Sequence, residues 1–328
     1  MPKKIIKSLS PAKTTKAYDT YWKFAYERQN IFFNRLKSSR EPFTGDPILQ
    51  EYKFTNTYRA CDRVSQYLIK DVLYDAPSGS SESDIFFRTV LFKLFNKIDT
   101  WKLLSEKFGE LTVKNFNIKH FNQFLDEEMN RGRVLYSNAY MMASGCKEFK
   151  VTRKHTAHLM LIEKMLSDQL AEQISACKKM SDGYNLLLQY PLIGRFLAYQ
   201  YITDINYSQL TNFSEMEFTI PGPGAKDGIR KCFSSFGGLT ETEIIKLMTD
   251  RQEYEFDRLG LKFKKIGKRP LQYIDIQNIF CEVDKYCRVA HPEIMGVSGR
   301  VRIKQKFSCN SNKIEYHFPP KWEVKLRM

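Results

Sequence analysis

The sequence of 328 residues contains no Cys-x-x-Cys pair, although seven cysteines are scattered along it. Structural zinc sites and disulfide frameworks both need cysteines at characteristic spacings, so neither is expected here. Unpaired thiols are typical of a reducing compartment, which predicts a cytoplasmic protein. No apolar run approaches the roughly 20 residues that span a bilayer, and the basic segment 1–17 lacks the apolar core of a signal peptide.

The sequence also lacks the Gly-x-x-x-x-Gly-Lys-Ser/Thr loop that cradles nucleotide phosphates, which weighs against a self-contained kinase. Acidic residues are in deficit, since 37 Asp and Glu stand against 52 Lys and Arg, a formal net charge of +15. One explanation is simply a soluble basic protein. The other is a polyanionic partner, most simply DNA, and an aromatic content of 14% supplies rings on which bases stack.

Two stretches concentrate the residues that chemistry on DNA requires. The first is the glycine-bearing turn Ile220–Gly228, where missing side chains let a backbone approach a phosphate and the next helix begins with outward amides. The second places Asp275 at the first turn of a helix with an apolar face. Phosphate binding is assigned to Gly222, Gly224, Lys226 and Gly228.

The order Ile-Pro-Gly-Pro-Gly-Ala-Lys at 220–226, followed by Ile274-Asp275, resembles the Leu-Pro-Gly-Val-Gly-x-Lys and Val-Asp pattern of helix-hairpin-helix DNA glycosylases. The resemblance implies a mainly α, two-lobed fold with the hairpin between two helices. It implies that Asp275 is the catalytic carboxylate and that Lys226 attacks the sugar or contacts a phosphate. From the residues alone, an N-cap without chemistry is the preferred interpretation of Asp275. The spacer is longer than in that superfamily and holds the basic run 262–269.

Some members of that superfamily carry an iron–sulfur cluster held by four cysteines. Here Cys281, Cys287 and Cys309 are too few and too unevenly spaced to hold one, so no cofactor is expected.

A second resemblance covers most of the chain. The segments that carry it are Glu27–Arg35, Pro42–Pro47, Tyr52–Arg59, Leu197–Gln200 and Asp275–Asn278. They resemble a family that comprises the 5-hydroxymethyluracil DNA kinase helical domain and the alpha-glutamyl/putrescinyl thymidine pyrophosphorylases. These are proteins of DNA-base hypermodification with a glycosylase-like fold, and some relatives are anti-phage glycosylases. The resemblance implies work on a modified base in DNA.

Polar and aromatic residues in or near these segments are assigned to a base pocket: Asn30, Asn34, Tyr58, Arg59, Tyr201, Asp204, Gln277 and Asn278. Plainer alternatives stay open, namely surface polarity for the asparagines, an ion pair with Asp62 for Arg59, core packing for Tyr201 and helix capping for Asp204. His155 and His158 share a helix face without a third ligand nearby, so no metal is expected and both are predicted on the surface.

The predicted organisation is a flexible basic arm at 1–13 and a single two-lobed domain at 14–328. Helices are predicted over 14–37, 56–73, 85–96, 154–178 and 240–258. Capping boxes at Ser81 and Thr240 are predicted to begin the helices at 85–96 and 240–258. Alternating residues over 296–318 predict a short C-terminal β-hairpin.

The expected function is a DNA glycosylase that flips a hydroxymethylated or further substituted pyrimidine into a pocket between the lobes and excises it, in phage defence. Asp275 would stabilise the oxocarbenium-like sugar and orient water. One alternative is a transferase that attaches an amino acid or polyamine to activated 5-hydroxymethyluracil in DNA. Another is a non-catalytic module that binds modified DNA. The partner is double-stranded DNA, and a monomer away from the membrane is expected.

Overall fold

The computed structural model describes residues 11–38, 40–75, 79–139, 142–309 and 314–326. Its regular structure is mainly helical, which confirms the predicted fold class. None of the helices within these ranges is both long and apolar enough to cross a membrane. The α-helices, in chain order, are α1 (Ala17–Lys37), α2 (Pro47–Glu51), α3 (Arg63–Tyr67), α4 (Glu82–Phe95), α5 (Ile98–Phe108), α6 (Ile118–Asn130), α7 (Lys154–Ser167), α8 (Leu170–Ser175), α9 (Met180–Leu187), α10 (Arg195–Ile205), α11 (Pro223–Cys232), α12 (Glu241–Arg258) and α13 (Tyr273–Ala290).

The sheet of the described residues has two antiparallel strands, β1 (Lys13–Thr14) and β2 (Phe233–Ser235). The pairing continues one residue further, where the N–H of Thr15 donates to the carbonyl of Cys232 at 2.9 Å. The basic arm predicted for 1–13 therefore ends in a strand at Lys13. Residues 1–10 of that arm lie outside the described residues.

The chain folds into two compact units. The first consists of the described residues within Met1–Asp62, Thr219–Glu315 and Trp322–Met328. The second consists of those within Arg63–Phe218 and Tyr316–Lys321. That the chain after the arm forms one two-lobed domain stays a prediction.

Helix α13 forms the centre of the first unit. Its apolar face follows the predicted helical spacing, and Ile276 and Phe280 are completely buried. Tyr21 of α1 packs its ring 4.6 Å from that of Phe280 and donates its hydroxyl to the carbonyl of Ile276 at 3.0 Å. Trp22 meets Phe256 of α12 edge to face at 5.1 Å. Helices α1 and α12 thus pack against each other, and both also contact α13.

Helix α4 is the corresponding core helix of the second unit. It begins at the predicted capping box, in which the N–H of Asp84 donates to the Ser81 hydroxyl at 3.1 Å and the N–H of Ser81 donates to the Asp84 carboxylate at 3.2 Å. Its side chains are buried nearly all round, including Phe86, Phe87 and Val90 at 0% exposure. The prediction of a core helix is confirmed.

The prediction of a C-terminal β-hairpin is wrong for the residues that the structure describes. Residues of its first half pair with another segment, since the N–H of Lys53 donates to Gln305 at 3.0 Å and the N–H of Phe307 donates to Glu51 at 2.9 Å. In its second half, the N–H of His317 donates to the side chain of Gln66 at 2.8 Å. Because these partners already satisfy the backbone groups, the two halves do not pair with each other. Of the predicted turn, 308–312, residues 310–312 lie outside the described residues.

Two predicted helices and the predicted hairpin arrangement differ from the structure. Residues 56–62 hold a short 3-10 turn instead of a helix, and α3 passes into a π-helical turn over Leu68–Tyr74. The helix over 154–178 is broken where Gln169 adopts a left-handed conformation with φ of 53°. A helix follows the predicted hairpin turn directly, but none directly precedes it, because residues 206–219 contain turns and no helix. The helix-hairpin-helix arrangement is therefore not confirmed for this described stretch.

Candidate functional site

Asp275 lies buried at the start of α13, with 4% of its surface exposed. One carboxylate oxygen accepts the N–H of Gln272 at 3.0 Å, which caps the helix. The other accepts the N–H of Arg59 at 2.9 Å. A carboxylate at this end of a helix is also stabilised by the helix dipole. Asp275 therefore joins the helix start to the 3-10 turn at Arg59–Cys61.

The same face of α13 binds the segment in front of that turn. The side-chain amide of Asn278 donates to the hydroxyl of Thr55 at 3.0 Å and to the carbonyl of Asn56 at 3.2 Å. One turn further on, Glu282 accepts the N–H of Thr55 at 2.9 Å. With Asp275, these side chains stand at positions i, i+3 and i+7 and fix the segment Thr55–Arg59 along the helix.

Asp62 closes the loop that this segment makes. Its carboxylate accepts the N–H of Asn56 at 2.7 Å, while the Asn56 side chain donates to the carbonyl of Cys61 at 2.7 Å. Burial raises the pKa of Asp62 to about 7, although the Asn56 N–H and the charge of Arg28 act to lower it. The sequence offered Asp62 only as a partner for Arg59. Its role in closing the loop depends on contacts that no local pattern marks.

Tyr58 and Gln29 anchor the basic insertion that precedes α13. Tyr58 is 1% exposed and donates its hydroxyl to the carbonyl of Arg269 at 2.6 Å. Burial raises its pKa well above the usual value. The side-chain amide of Gln29 donates to the carbonyl of Lys264 at 2.8 Å. These two bonds hold the insertion to the body of the first unit and leave Lys262 and Lys264 exposed.

The predicted phosphate-binding turn opens α11. Gly222 is its N-cap residue and donates its N–H to the side-chain oxygen of Gln277 at 3.0 Å. Gln277 was assigned to the base pocket, and the structure shows it holding this turn instead of facing an open space, with 3% exposure. Lys226 and Arg230 stand exposed one turn apart on the outer side of α11. The contact of Lys226 with DNA phosphates stays a prediction.

Two glycines of this turn lie where α11 crosses α13. A Cβ added at Gly228 would stand 2.0 Å from the carbonyl oxygen of Phe280, and one at Gly224 would stand 3.0 Å from the sulfur of Cys281. Real side chains do not approach a backbone so closely, so Gly228 is needed for the crossing itself. Close packing accounts for this glycine, and its phosphate-binding role stays a prediction.

The eight residues assigned to a base pocket are divided between the units. Tyr58, Arg59, Gln277 and Asn278 come together around Asp275 in the first unit, as described above. Asn30 is half-buried on α1, and Asn34 is exposed and donates its side-chain amide to the carbonyl of Phe43 at 2.8 Å.

Tyr201 and Asp204 belong to α10 in the second unit. Asp204 forms an ion pair with Lys93 at 2.7 Å, with both side chains at most 4% exposed. Tyr201 donates its hydroxyl to the sulfur of Met142 at 3.0 Å. The core alternative for Tyr201 thus agrees with its burial.

The surface location predicted for the two histidines is wrong. His155 and His158 are both completely buried. His158 contacts the hydroxyl of Tyr136 at 3.0 Å and the carbonyl of Ala143 at 2.9 Å, and burial lowers its pKa to about 4. His155 lies 3.2 Å from Asp126. Across the described part of the chain, no group of three or more His, Cys, Asp or Glu side chains is placed to hold a metal ion.

The geometry defines a basic, mainly helical protein whose buried polar network surrounds the start of α13. Comparison with known proteins gives the family: residues 15–296 match the family described as "5-hmdU DNA kinase, helical domain", and the chain belongs to it. A "5-hmdU DNA kinase" of Bacillus phage SP10 is 26% identical over 286 residues, which cover 82% of this chain and 44% of the relative. The chain thus spans less than half of that relative. No solved structure matches.

These findings confirm the resemblance to the 5-hydroxymethyluracil DNA kinase family and overturn the expected activity. The family and the relative are both named for a kinase, so the prediction of a DNA glycosylase that hydrolyses the base–sugar bond is wrong. The likeness to a helix-hairpin-helix glycosylase fold is not confirmed. DNA as the substrate agrees with the family, while the monomeric state and the cytoplasmic location stay predictions.

Proposed function

We propose that this chain recognises 5-hydroxymethyldeoxyuridine in DNA and serves the transfer of a phosphoryl group to its hydroxymethyl oxygen. The observation that carries the proposal is the family match over residues 15–296. The net charge of +15 supports it, because a cationic surface releases counterions from the DNA backbone and thereby gains affinity. Exposed Lys226, Lys262 and Lys264 are proposed to contribute to this backbone contact.

In such a reaction the hydroxymethyl oxygen attacks the terminal phosphorus of a nucleoside triphosphate and loses its proton, and the diphosphate leaves. Catalysis consists mainly of positioning and of stabilising charge. The sequence has no Gly-x-x-x-x-Gly-Lys-Ser/Thr loop, so the part of the reaction proposed for this chain is DNA recognition. Asp275 is proposed to fix the segment Thr55–Arg59, since both its oxygens bind backbone amides.

The absence of that loop from the sequence favours a second candidate. In it, the chain attaches an amino acid or polyamine to an already activated 5-hydroxymethyl group, which requires no triphosphate site. Both candidates recognise the same 5-substituted base and leave its bond to the sugar intact.

The test compares two duplexes that differ at one position, where thymidine in one is replaced by 5-hydroxymethyldeoxyuridine in the other. Binding to the full chain is measured by fluorescence anisotropy, and each duplex is then incubated with ATP labelled at its terminal phosphate. One added hydrogen bond to the hydroxyl predicts about tenfold tighter binding of the modified duplex. Label in the modified duplex alone supports phosphoryl transfer.

Two other results would count against this function. Equal affinity for both duplexes, with no label in either, would refute recognition of the modified base. A mass gain that needs an amine and a pre-activated duplex, with no label from ATP, would favour the second candidate.

A further inference from the structure

A cavity of about 170 Å³ opens in the first unit between α1, α2 and residues 305–307. It is separate from the network around Asp275 that the sequence motifs single out. Its walls include two guanidinium groups and four aromatic rings: Arg28, Arg35, Phe43, Tyr52, Phe54 and Phe307. None of these six residues was assigned a role from the sequence.

The walls of the cavity are held by bonds between three segments. Arg28, Ile31 and Arg35 line it from one face of α1, at positions i, i+3 and i+7. The loop before α2 is tied down by the Asn34 bond to Phe43 and by the side chain of Gln50, which donates to the carbonyl of Thr44 at 2.6 Å.

Backbone hydrogen bonds of the segment 305–307 close the opposite wall. The N–H of Lys53 donates to the carbonyl of Gln305 at 3.0 Å, and the N–H of Phe307 donates to the carbonyl of Glu51 at 2.9 Å. Lys306 stands over the ring of Tyr52, 4.4 Å from its centroid. Because three separate segments fix the walls, the cavity exists before any ligand arrives.

The lining is chemically unlike a packing defect. Empty cavities in proteins are lined by apolar groups, whereas Arg28 carries a charge with only 8% of its surface exposed. Its guanidinium donates to the carbonyl of Phe54 at 3.4 Å and acts on the carboxylate of Asp62. The guanidinium of Arg35 lies 5.5 Å from the centroid of the Phe43 ring.

Rings beside guanidinium groups suit a flat ligand that carries an oxygen or a negative charge at its edge. Aromatic faces stack on bases, and arginine donates to hydroxyl, carbonyl or phosphoryl oxygens. An engineered cavity of about 150 Å³ accepts a benzene ring. A cavity of about 170 Å³ therefore has room for a pyrimidine ring with a small substituent.

We infer that this cavity binds a 5-substituted pyrimidine nucleotide, with the base between the aromatic walls and its 5-substituent oxygen at Arg35. The inference rests on the proposed function and adds the site at which the modified base is read. The base comes from DNA and reaches the cavity by leaving the stack, because its ring cannot enter a closed pocket while it is paired. A free mononucleotide shares the same chemistry, and the experiment separates the two sources.

The test uses the full chain and compares Arg35→Ala with Arg230→Ala. Arg230 is a matched control, since its guanidinium also lies over an aromatic ring, 4.5 Å from the centroid of Phe236, but far from this cavity in the chain and outside its lining. Each substitution removes a charged guanidinium that lies over a ring, and Arg230→Ala also removes an ion pair with Glu241 at 3.6 Å. The measured quantity is the ratio of affinities for the 5-hydroxymethyldeoxyuridine and thymidine duplexes.

We expect Arg35→Ala to reduce the ratio about tenfold, to near one, and Arg230→Ala to weaken both duplexes equally and keep the ratio. Tyr52→Ala serves as a second variant, because Tyr52 is only half-buried and its loss removes a stacking face. It should weaken the modified duplex about tenfold. Thermal unfolding of each variant shows whether the fold is retained.

The outcomes separate the inference from the function on which it rests. If the wild type fails to distinguish the duplexes, the proposed function fails. If the wild type distinguishes them and both Arg35→Ala and Tyr52→Ala keep the ratio, the cavity is not the reading site and the inference is overturned. A third outcome concerns the free nucleotide. If free 5-hydroxymethyldeoxyuridine monophosphate competes with duplex binding, if Arg35→Ala abolishes this competition, and if the wild type does not discriminate between the duplexes, the cavity binds the free nucleotide.

Discussion

Asp275 illustrates how a residue that resembles a catalytic group can serve the structure. Each of its oxygens accepts a backbone N–H, from Gln272 and from Arg59. The second bond joins residues 216 positions apart, so it closes a long loop of the first unit. The N-cap alternative drawn from the sequence describes one of these bonds and misses the other.

Replacing Asp275 with Asn should destabilise the first unit by about 1–3 kcal/mol, because one buried N–H would then face the amide group of the new side chain. Amide hydrogen exchange at Arg59 should accelerate at the same time. Glu243→Gln is the matched control, since Glu243 occupies the same position in the exposed capping box of α12 and should cost less than about 1 kcal/mol. An unchanged rate of amide exchange at Arg59 in Asp275→Asn would show that the hydrogen bond between Arg59 and Asp275 does not stabilise the fold.

We expect His158 to make the second unit sensitive to acid. Its pKa is lowered by burial to about 4, below the ordinary value of 6.5, so the folded chain binds a proton less readily than the unfolded chain. Its contribution to the free energy of unfolding is therefore complete above pH 6.5 and is lost as the pH falls toward 4. A difference of this size corresponds to about 3 kcal/mol.

The His158→Gln variant should lose much of this pH dependence, as measured by urea unfolding at pH 7 and pH 4.5. His120→Gln provides the control, because His120 is exposed on α6. An identical loss of stability on acidification in wild type and His158→Gln would contradict the assignment to His158.

At the scale of elements, the crossing of α11 and α13 depends on a single missing side chain. Gly228→Ala would bring a Cβ to 2.0 Å from the Phe280 carbonyl oxygen, so the helices must separate. We expect a loss of about 3 kcal/mol or more in the free energy of unfolding. Gly194→Ala is the control, since Gly194 has an ordinary φ of −80° and no neighbour within 4 Å of an added Cβ. It should cost no more than about 1 kcal/mol.

If Gly228→Ala unfolds at the same urea concentration as the wild type, the crossing tolerates the methyl group and the glycine must be explained otherwise. Phosphate binding at the turn would then be the stronger reason for it.

Helix beginnings were the elements that the sequence predicted best. The capping boxes at Ser81 and Thr240 start α4 and α12 as predicted, because each consists of bonds within four residues. Residues 56–62 were predicted as helix and are not, since Asn56 and Asp62 bind backbone groups of the loop instead. The break at Gln169 likewise has no breaker residue in the sequence.

At the scale of the whole molecule, a net charge of +15 predicts binding to DNA that weakens steeply with salt. Lys226→Ala should reduce the slope of log K against log salt by about one and weaken modified and unmodified duplexes equally, as expected for a phosphate contact. Lys164→Ala is the control, because Lys164 is paired with Asp168 at 3.0 Å on the second unit. A slope unchanged by Lys226→Ala would remove Lys226 from the DNA-binding surface.

The candidate site was predictable only in part. The segments 27–35 and 52–59 pointed to the family, but their polar residues bind groups of the protein itself. The side chains of Asn34 and Tyr58 donate to backbone carbonyls, and the N–H of Arg59 donates to the carboxylate of Asp275. Arg28 and Arg35 lie in the same segments and line the cavity, and nothing in their spacing distinguishes them from other helix-surface arginines. Helical periodicity shows which residues share a face and not what that face meets.

The basic balance, the helical class, the helix starts and the family were predictable from the sequence, because each rests on composition or on patterns within a few residues. The folded chain was needed to show that Asp275 binds Arg59, that Gly228 fits against Phe280 and that His155 and His158 are buried. These facts depend on groups far apart in the chain. Burial and hydrogen bonding are set by such distant neighbours, so no local pattern encodes them.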